Sequence, residues 1–215
     1  MGLAIYVGIG LVFVLFTIYL IFTRHQRVCN DIYSQKPLYR QHKVIHNFLT
    51  PDQCVKIINE AETYAEHHGW STRRHKYYPT TDNEITKSWP CYPLLMKQIK
   101  RQLFPHFVAL FQLKPNTLKV EEIFVAKYEG DRYKAQKYLE EHEDGGEFSF
   151  ILALNDEYEG GGTHFVKKGE TVKLNTGDIL IFSGQTRHAG IPVTKGTRYI
   201  IPGFLYYGTC TQQDK

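Results

Sequence analysis

Hydrophobic positions change their spacing twice along this chain. From Gly2 to Thr23 no residue is charged, and Ile, Leu, Val, Phe and Tyr dominate the run. That stretch has 22 residues, and about 20 suffice for a helix to cross a bilayer. No basic segment precedes it and no small-residue cleavage site closes it, so residues 1–24 read as an uncleaved transmembrane anchor. Residues 25–43 follow as a polar tether.

A helical period then takes over. Val44 to Phe48 reads as a short strand. Thr50 is a helix N-cap, Pro51 takes the first helical position and Gln53 completes a capping box. Cys54, Ile57, Ile58, Ala61 and Ala65 make an apolar stripe at helical spacing, and Gly69 ends it. Residues 70–90 mix Trp70, Arg73, Arg74, His75, Tyr77, Tyr78 and Asp82 without a period. This loop is either a lid or substrate wall, or an ordered surface loop. Leu94 to Phe111 forms a second helix, broken or kinked at Pro105. Its Lys97, Lys100 and Arg101 make a solvated face.

From Leu118 onward the period is two. Lys119 to Tyr128 is a strand, and residues 129–141 are a charged, tyrosine-rich loop. Phe148 to Leu154 is the clearest strand, with Phe148, Phe150, Leu152 and Leu154 on one face and Ser149, Ile151 and Ala153 on the other. Gly160 to Gly162 form a turn, and Thr163 to Val166 a short strand. Asn175-Thr176-Gly177-Asp178 is a turn signal ahead of Ile179 to Phe182. Arg198 to Leu205 is the last core strand, and Pro202 within it suggests an edge or a bulge. Two helices followed by many short strands predict an α+β, mainly β domain over 44–208. Its core is an antiparallel jelly-roll (a double-stranded β-helix) with N-terminal flanking helices, and 209–215 are a tail.

Composition changes this picture little. The 14% aromatic content suits a β-rich fold, and a net charge of +4 is too mild to imply a nucleic-acid partner. Cys29, Cys54, Cys91 and Cys210 form no C-x-x-C pair, so a zinc module is disfavoured and their redox state stays open. Arg24, His25 and Arg27 follow the apolar run with no Lys or Arg before it, which favours a cytoplasmic domain on a single-pass membrane protein.

The candidate chemistry lies in residues 142–198. His142 and Asp144, two apart, point to one face of an extended segment. With His188 they make the two-histidine, one-carboxylate set of a mononuclear Fe(II) site with open positions, a structural zinc site being the alternative. Arg198 carries a permanent charge that can hold a carboxylate through two hydrogen bonds.

The string H-E-D at 142–144, L-N at 154–155, Y-E-G-G-G-T-H-F at 158–165, G-D-I-L-I-F at 177–182, H-A-G-I-P-V-T at 188–194 and G-T-R-Y at 196–199 resembles the 2-oxoglutarate/Fe(II) dioxygenases. Within them it is most similar to the catalytic domains of prolyl 4-hydroxylases and procollagen lysyl hydroxylases. The resemblance implies Fe(II) on His142, Asp144 and His188, with 2-oxoglutarate, dioxygen and L-ascorbate as its companions. It implies that Arg198 holds the distal carboxylate of 2-oxoglutarate, with Tyr128 and more weakly Ser149 and Thr197 beside it. Prolyl hydroxylases commonly carry Lys at the Arg198 position and lysyl hydroxylases Arg. His164 reads as structural. Related halogenases replace the carboxylate, so Asp144 favours hydroxylation. Phe204 stands where nucleic-acid demethylases carry a second Arg, which argues against that substrate. The expected activity is hydroxylation of peptidyl proline or lysine with release of succinate and carbon dioxide. A small-molecule hydroxylase and a non-catalytic jelly-roll binding module are the alternatives. The relatives work in the endoplasmic reticulum lumen, against the flanking charges, so the membrane side stays open.

Overall fold

The structure, a computed structural model, describes residues 41–133 and 135–207. Its organising feature is a six-stranded antiparallel sheet in the order β1-β9-β5-β12-β3-β2. These strands are β1 (His42–Ile45), β2 (Asp82–Glu84), β3 (Leu118–Glu129), β5 (Phe148–Ala153), β9 (Ile179–Ser183) and β12 (Thr197–Tyr207). A smaller four-stranded sheet pairs β4 (Leu139–His142), β10 (His188–Gly190), β7 (Thr163–Phe165) and β8 (Glu170–Val172) in that order. β6 (Glu159–Gly160) and β11 (Val193–Lys195) form a short ribbon.

Alternation along β5 divides the interior into two layers. Phe148, Phe150, Leu152 and Leu154 face the helices; Ile151 and Ala153 pack with Phe165, Leu180 and Phe182 between the sheets. All six residues of β5 are buried, because the strand is covered on both sides. The helical layer starts with α1 (Pro51–His68), whose Thr50 and Gln53 form the reciprocal capping box. Cys54, Ile57 and Ala61 of α1 are buried against the large sheet, as the stripe predicts.

The second helical stretch is not one helix. It runs as α2 (Tyr92–Gln98), a π-helical turn over Ile99–Leu103, and α3 (Phe104–Phe111). Pro105 has no N–H to return to the preceding turn, and the wider turn lies directly before it. Of the edge or bulge expected at Pro202, the edge is not found and a ladder irregularity is. β12 is a central strand, flanked by β5 and β3, not an edge. Its ladder to β3 skips Ile201 and Pro202 and shifts register between Phe204 and Leu205, so the proline sits beside an interrupted ladder.

The expected single-pass membrane placement is corrected here. Among the described residues no helix is long and apolar enough to cross a membrane. The apolar stretch from Gly2 to Thr23 lies outside the described residues, as do most of the expected tether and the 209–215 tail. Cys54 and Cys91 are buried free thiols; Cys29 and Cys210 lie outside the described residues.

Candidate active site

His142 ends β4 and His188 begins β10, and the two are direct partners across that antiparallel pair. Residues opposite one another present their side chains to the same face, so the imidazoles meet with ring centroids 4.3 Å apart. Each ring is fixed from behind. His142 Nδ1 donates to Glu140 O at 2.7 Å and His188 Nδ1 donates to Thr186 O at 2.8 Å. A carbonyl can only accept, so in both neutral rings Nδ1 holds the proton and Nε2 offers its lone pair.

Those lone pairs converge on Asp144. Its Oδ1 is 3.3 Å from His142 Nε2, and its Oδ2 is 3.7 Å from His188 Nε2. The carboxylate is positioned from both ends: Asp144 N–H donates to Gly184 O at 2.8 Å, and Ser149 Oγ donates to Oδ2 at 2.5 Å. Gly184 has to be glycine, because a Cβ there would stand 2.1 Å from Gly146 O. One ligand atom from each of His142, Asp144 and His188 lies within 4.8 Å of the others, which fits a single metal ion.

Charge follows geometry. Burial opposes ionisation of Asp144, but the facing His188 and His142 and the Ser149 hydrogen bond outweigh it and hold its pKa below the ordinary value. Burial also acts against His142, yet Asp144 raises its pKa; His188 is the more enclosed, and there burial wins and lowers it.

The other end of the same cavity, whose volume is about 390 Å³, holds Arg198. Arg198 pairs with Tyr128 across β12 and β3, and both are 3% exposed. Its guanidinium lies 5.7 Å from the Tyr128 ring centroid and 6.0 Å from that of Tyr158. Burial pushes the Tyr128 hydroxyl up to about 12, so it stays a donor. Arg198 Nη1 donates to Gly162 O at 3.5 Å, Nε has no partner, and no carboxylate pairs with the guanidinium among the described residues. A buried cation left this way costs stability unless an anion joins it. The donor set and the lone cation together fit Fe(II) at one end and a dicarboxylate reaching to the other.

A sequence profile described as the 2OG-Fe(II) oxygenase superfamily matches residues 125–206. Residues 125–206 thus belong to the 2-oxoglutarate/Fe(II) oxygenase superfamily. It is 31% identical over 173 residues to procollagen-lysine,2-oxoglutarate 5-dioxygenase 1 of Rattus norvegicus, covering 73% of this chain and 23% of that protein. It is 26% identical over 201 residues to a procollagen lysyl hydroxylase and glycosyltransferase of Acanthamoeba polyphaga mimivirus, covering 84% and 20%. The chain thus spans under a quarter of the length of these relatives. In fold it is similar to the viral collagen prolyl hydroxylase of Paramecium bursaria Chlorella virus-1 in its 2OG complex, with TM-score 0.59, 19% identity, and 76% of this chain and 94% of that one covered. A Pseudomonas putida prolyl-4-hydroxylase has the same TM-score of 0.59 at 17% identity, with 76% and 91% covered.

This oxygenase fold brings together His142, Asp144, His188 and Ser149 at one end of the cavity, and Arg198 and Tyr128 at the other. Ser149 has its hydroxyl on Asp144. Thr197 is occupied through its carbonyl, and His164 turns to Thr171 Oγ1 at 2.9 Å, away from the ligand group. Asn155 has a role the sequence reading did not assign. Its Nδ2 donates to Thr197 O at 2.7 Å and its Oδ1 accepts from Tyr199 N at 2.8 Å, so it clamps the backbone on both sides of Arg198. Its place in the L-N pair was the available signal. The 70–81 loop resolves as a wall: Arg74, His75, Tyr77, Tyr78 and Thr80 line the cavity, and the Tyr78 ring stands 5.0 Å from His142.

Proposed function

We propose that this oxygenase hydroxylates a proline or lysine side chain of a peptide or protein. The observation that carries the reading is Arg198, a buried guanidinium without a carboxylate partner among the described residues, in one cavity with His142, Asp144 and His188. His142 and His188 would hold Fe(II) through Nε2, and Asp144 through its carboxylate. Arg198 would receive the distal carboxylate of 2-oxoglutarate, with the Tyr128 hydroxyl as a second donor. When bound, Fe(II) with 2-oxoglutarate and dioxygen supplies the oxidising chemistry, placing one oxygen atom in a C–H bond and the other in succinate as carbon dioxide leaves. The protein's share is orientation and exclusion of water. Phe182 packs edge-on to His188 at 4.7 Å, and Tyr78 covers His142, so both imidazoles are shielded. L-ascorbate is the reductant expected to keep the iron in its active state.

The peptide class follows from the prolyl and lysyl hydroxylases to which the chain is similar. To test it, the full chain receives Fe(II), ascorbate and 2-oxoglutarate under air, with proline-rich or lysine-rich collagen-like peptides. Succinate that rises with one peptide and vanishes in His188→Ala supports the reading. Succinate that no peptide stimulates points instead to a small-molecule substrate, and none from folded, iron-loaded protein favours a binding module.

A further inference from the structure

The 70–81 wall carries a polar group that the oxygen chemistry leaves unassigned. His75 lines the cavity with Phe124, Pro202 and Phe204. Its ring lies 4.8 Å from the Phe124 centroid and edge-on to Phe204 at 6.4 Å. The two ring nitrogens have different surroundings. Nε2 is enclosed, has no hydrogen-bond partner among the described residues, and sits 3.7 Å from Asp82 Oδ2. Asp82 is 0% exposed and is itself held by Arg74 and Thr80. Nδ1 is not enclosed and has no partner among the described residues.

The nearby Asp82 carboxylate favours the tautomer with its proton on Nε2. That leaves a bare lone pair on Nδ1. Burial lowers the His75 pKa, although Asp82 pulls the other way, and the ring stays neutral at physiological pH. The wall around it also suits a cation. Arg74 divides its guanidinium among Asp82, Glu84 and Glu122, three carboxylates to one positive charge. Lys76 keeps its ammonium over the Tyr77 ring at 5.4 Å. Glu143 lines the cavity between the two ligands of the H-E-D segment.

A lone pair in a wall of this charge suits an ammonium, which has three N–H groups and no acceptor. A proline ring in a peptide has no N–H to offer. We propose that His75 receives the side-chain amine of the substrate, so that the site takes lysine in preference to proline. This rests on the peptide-hydroxylase reading above and selects within it.

The full chain, with Fe(II), 2-oxoglutarate and ascorbate, is offered lysine-rich and proline-rich collagen-like peptides, and added oxygen is located by mass spectrometry. Oxygen is expected on the lysine peptide. His75→Phe keeps a ring against Phe124 and removes the acceptor. It is expected to raise the peptide KM roughly ten- to hundredfold while the KM for 2-oxoglutarate moves less than about twofold. His75→Gln restores an acceptor and is expected to recover most of the loss, with thermal melts confirming that it folds. Oxygen on the proline peptide alone overturns the amine assignment and leaves the hydroxylase reading standing. An unchanged lysine-peptide KM in folded His75→Phe, or in folded His75→Gln no recovery, overturns the role of His75. Oxygen on neither peptide overturns the hydroxylase reading and this inference with it.

Discussion

Ser149 Oγ donates a hydrogen bond to Asp144 Oδ2 across 2.5 Å. The hydroxyl comes from β5 of the large sheet and the carboxylate from the segment after β4 of the small one, so this bond ties the two layers at the ligand set. Ser149→Ala leaves Asp144 free to turn away from His142 and His188. Fe(II) affinity is expected to fall about ten- to hundredfold, as for other hydrogen-bond partners of metal ligands. Activity measured against Fe(II) concentration checks this, and a folded variant with wild-type iron dependence would contradict it.

Arg198 predicts opposite effects on binding and on stability. The guanidinium is 3% exposed and has no carboxylate partner among the described residues. In Arg198→Met an apolar chain of similar length replaces a desolvated cation. The melting temperature is expected to hold or rise. The KM for 2-oxoglutarate is expected to rise by about a hundredfold or more. A variant that melts lower and binds 2-oxoglutarate normally would make Arg198 a structural residue.

His188 sets a pH dependence. Burial holds its folded pKa below the ordinary 6.5, so the folded chain binds fewer protons there than the unfolded chain. Its contribution to stability is therefore complete above about pH 6.5 and is lost as pH falls toward the folded pKa. His142 has the opposite sign: Asp144 raises its pKa, and its contribution is present at low pH and lost as pH rises through the raised value. Comparison with His188→Asn isolates the first effect. The metal-free wild type should lose melting temperature relative to that variant between about pH 7 and pH 5. Differential scanning calorimetry reads it, and parallel curves would mean that His188 is not held neutral.

Gly203 tests the packing of β12 on the helical layer. A Cβ there would stand 2.2 and 2.3 Å from Phe150 ring atoms, and Phe150 is 1% exposed. Gly203→Ala must displace that ring or the strand, at a cost of about 1–3 kcal/mol. For a domain of this size that lowers the melting temperature by about 2–10 °C.

Much of the fold was legible because local rules wrote it. The Thr50–Gln53 box, the alternation of β5 and the turn at Asn175–Asp178 depend on neighbours within a few residues, and each stands where the pattern put it. Pro202 was not legible in this way. A proline is excluded from a ladder one hydrogen bond at a time, and which bond is missing depends on the partner strand. β12 keeps its central position because its ladder to β3 is interrupted at Ile201 and Pro202. Asn155 stands in the L-N pair of the sequence, but only the fold sets Thr197 and Tyr199 on either side of its amide.

The sequence by itself determined the ligand types and their order: His142, Asp144, His188, then Arg198. That order reflects donor chemistry and an alternating strand, both properties of short segments. Tertiary structure decided what those residues face. The pairing of β4 with β10 sets His142 against His188, separated by 46 positions in the chain. The 70–81 loop brings His75 to the same cavity wall, against Asp82 of β2, from still further away. Such contacts arise because two sheets must bury their apolar faces together, and no local spacing in the chain encodes which loop then closes over the gap.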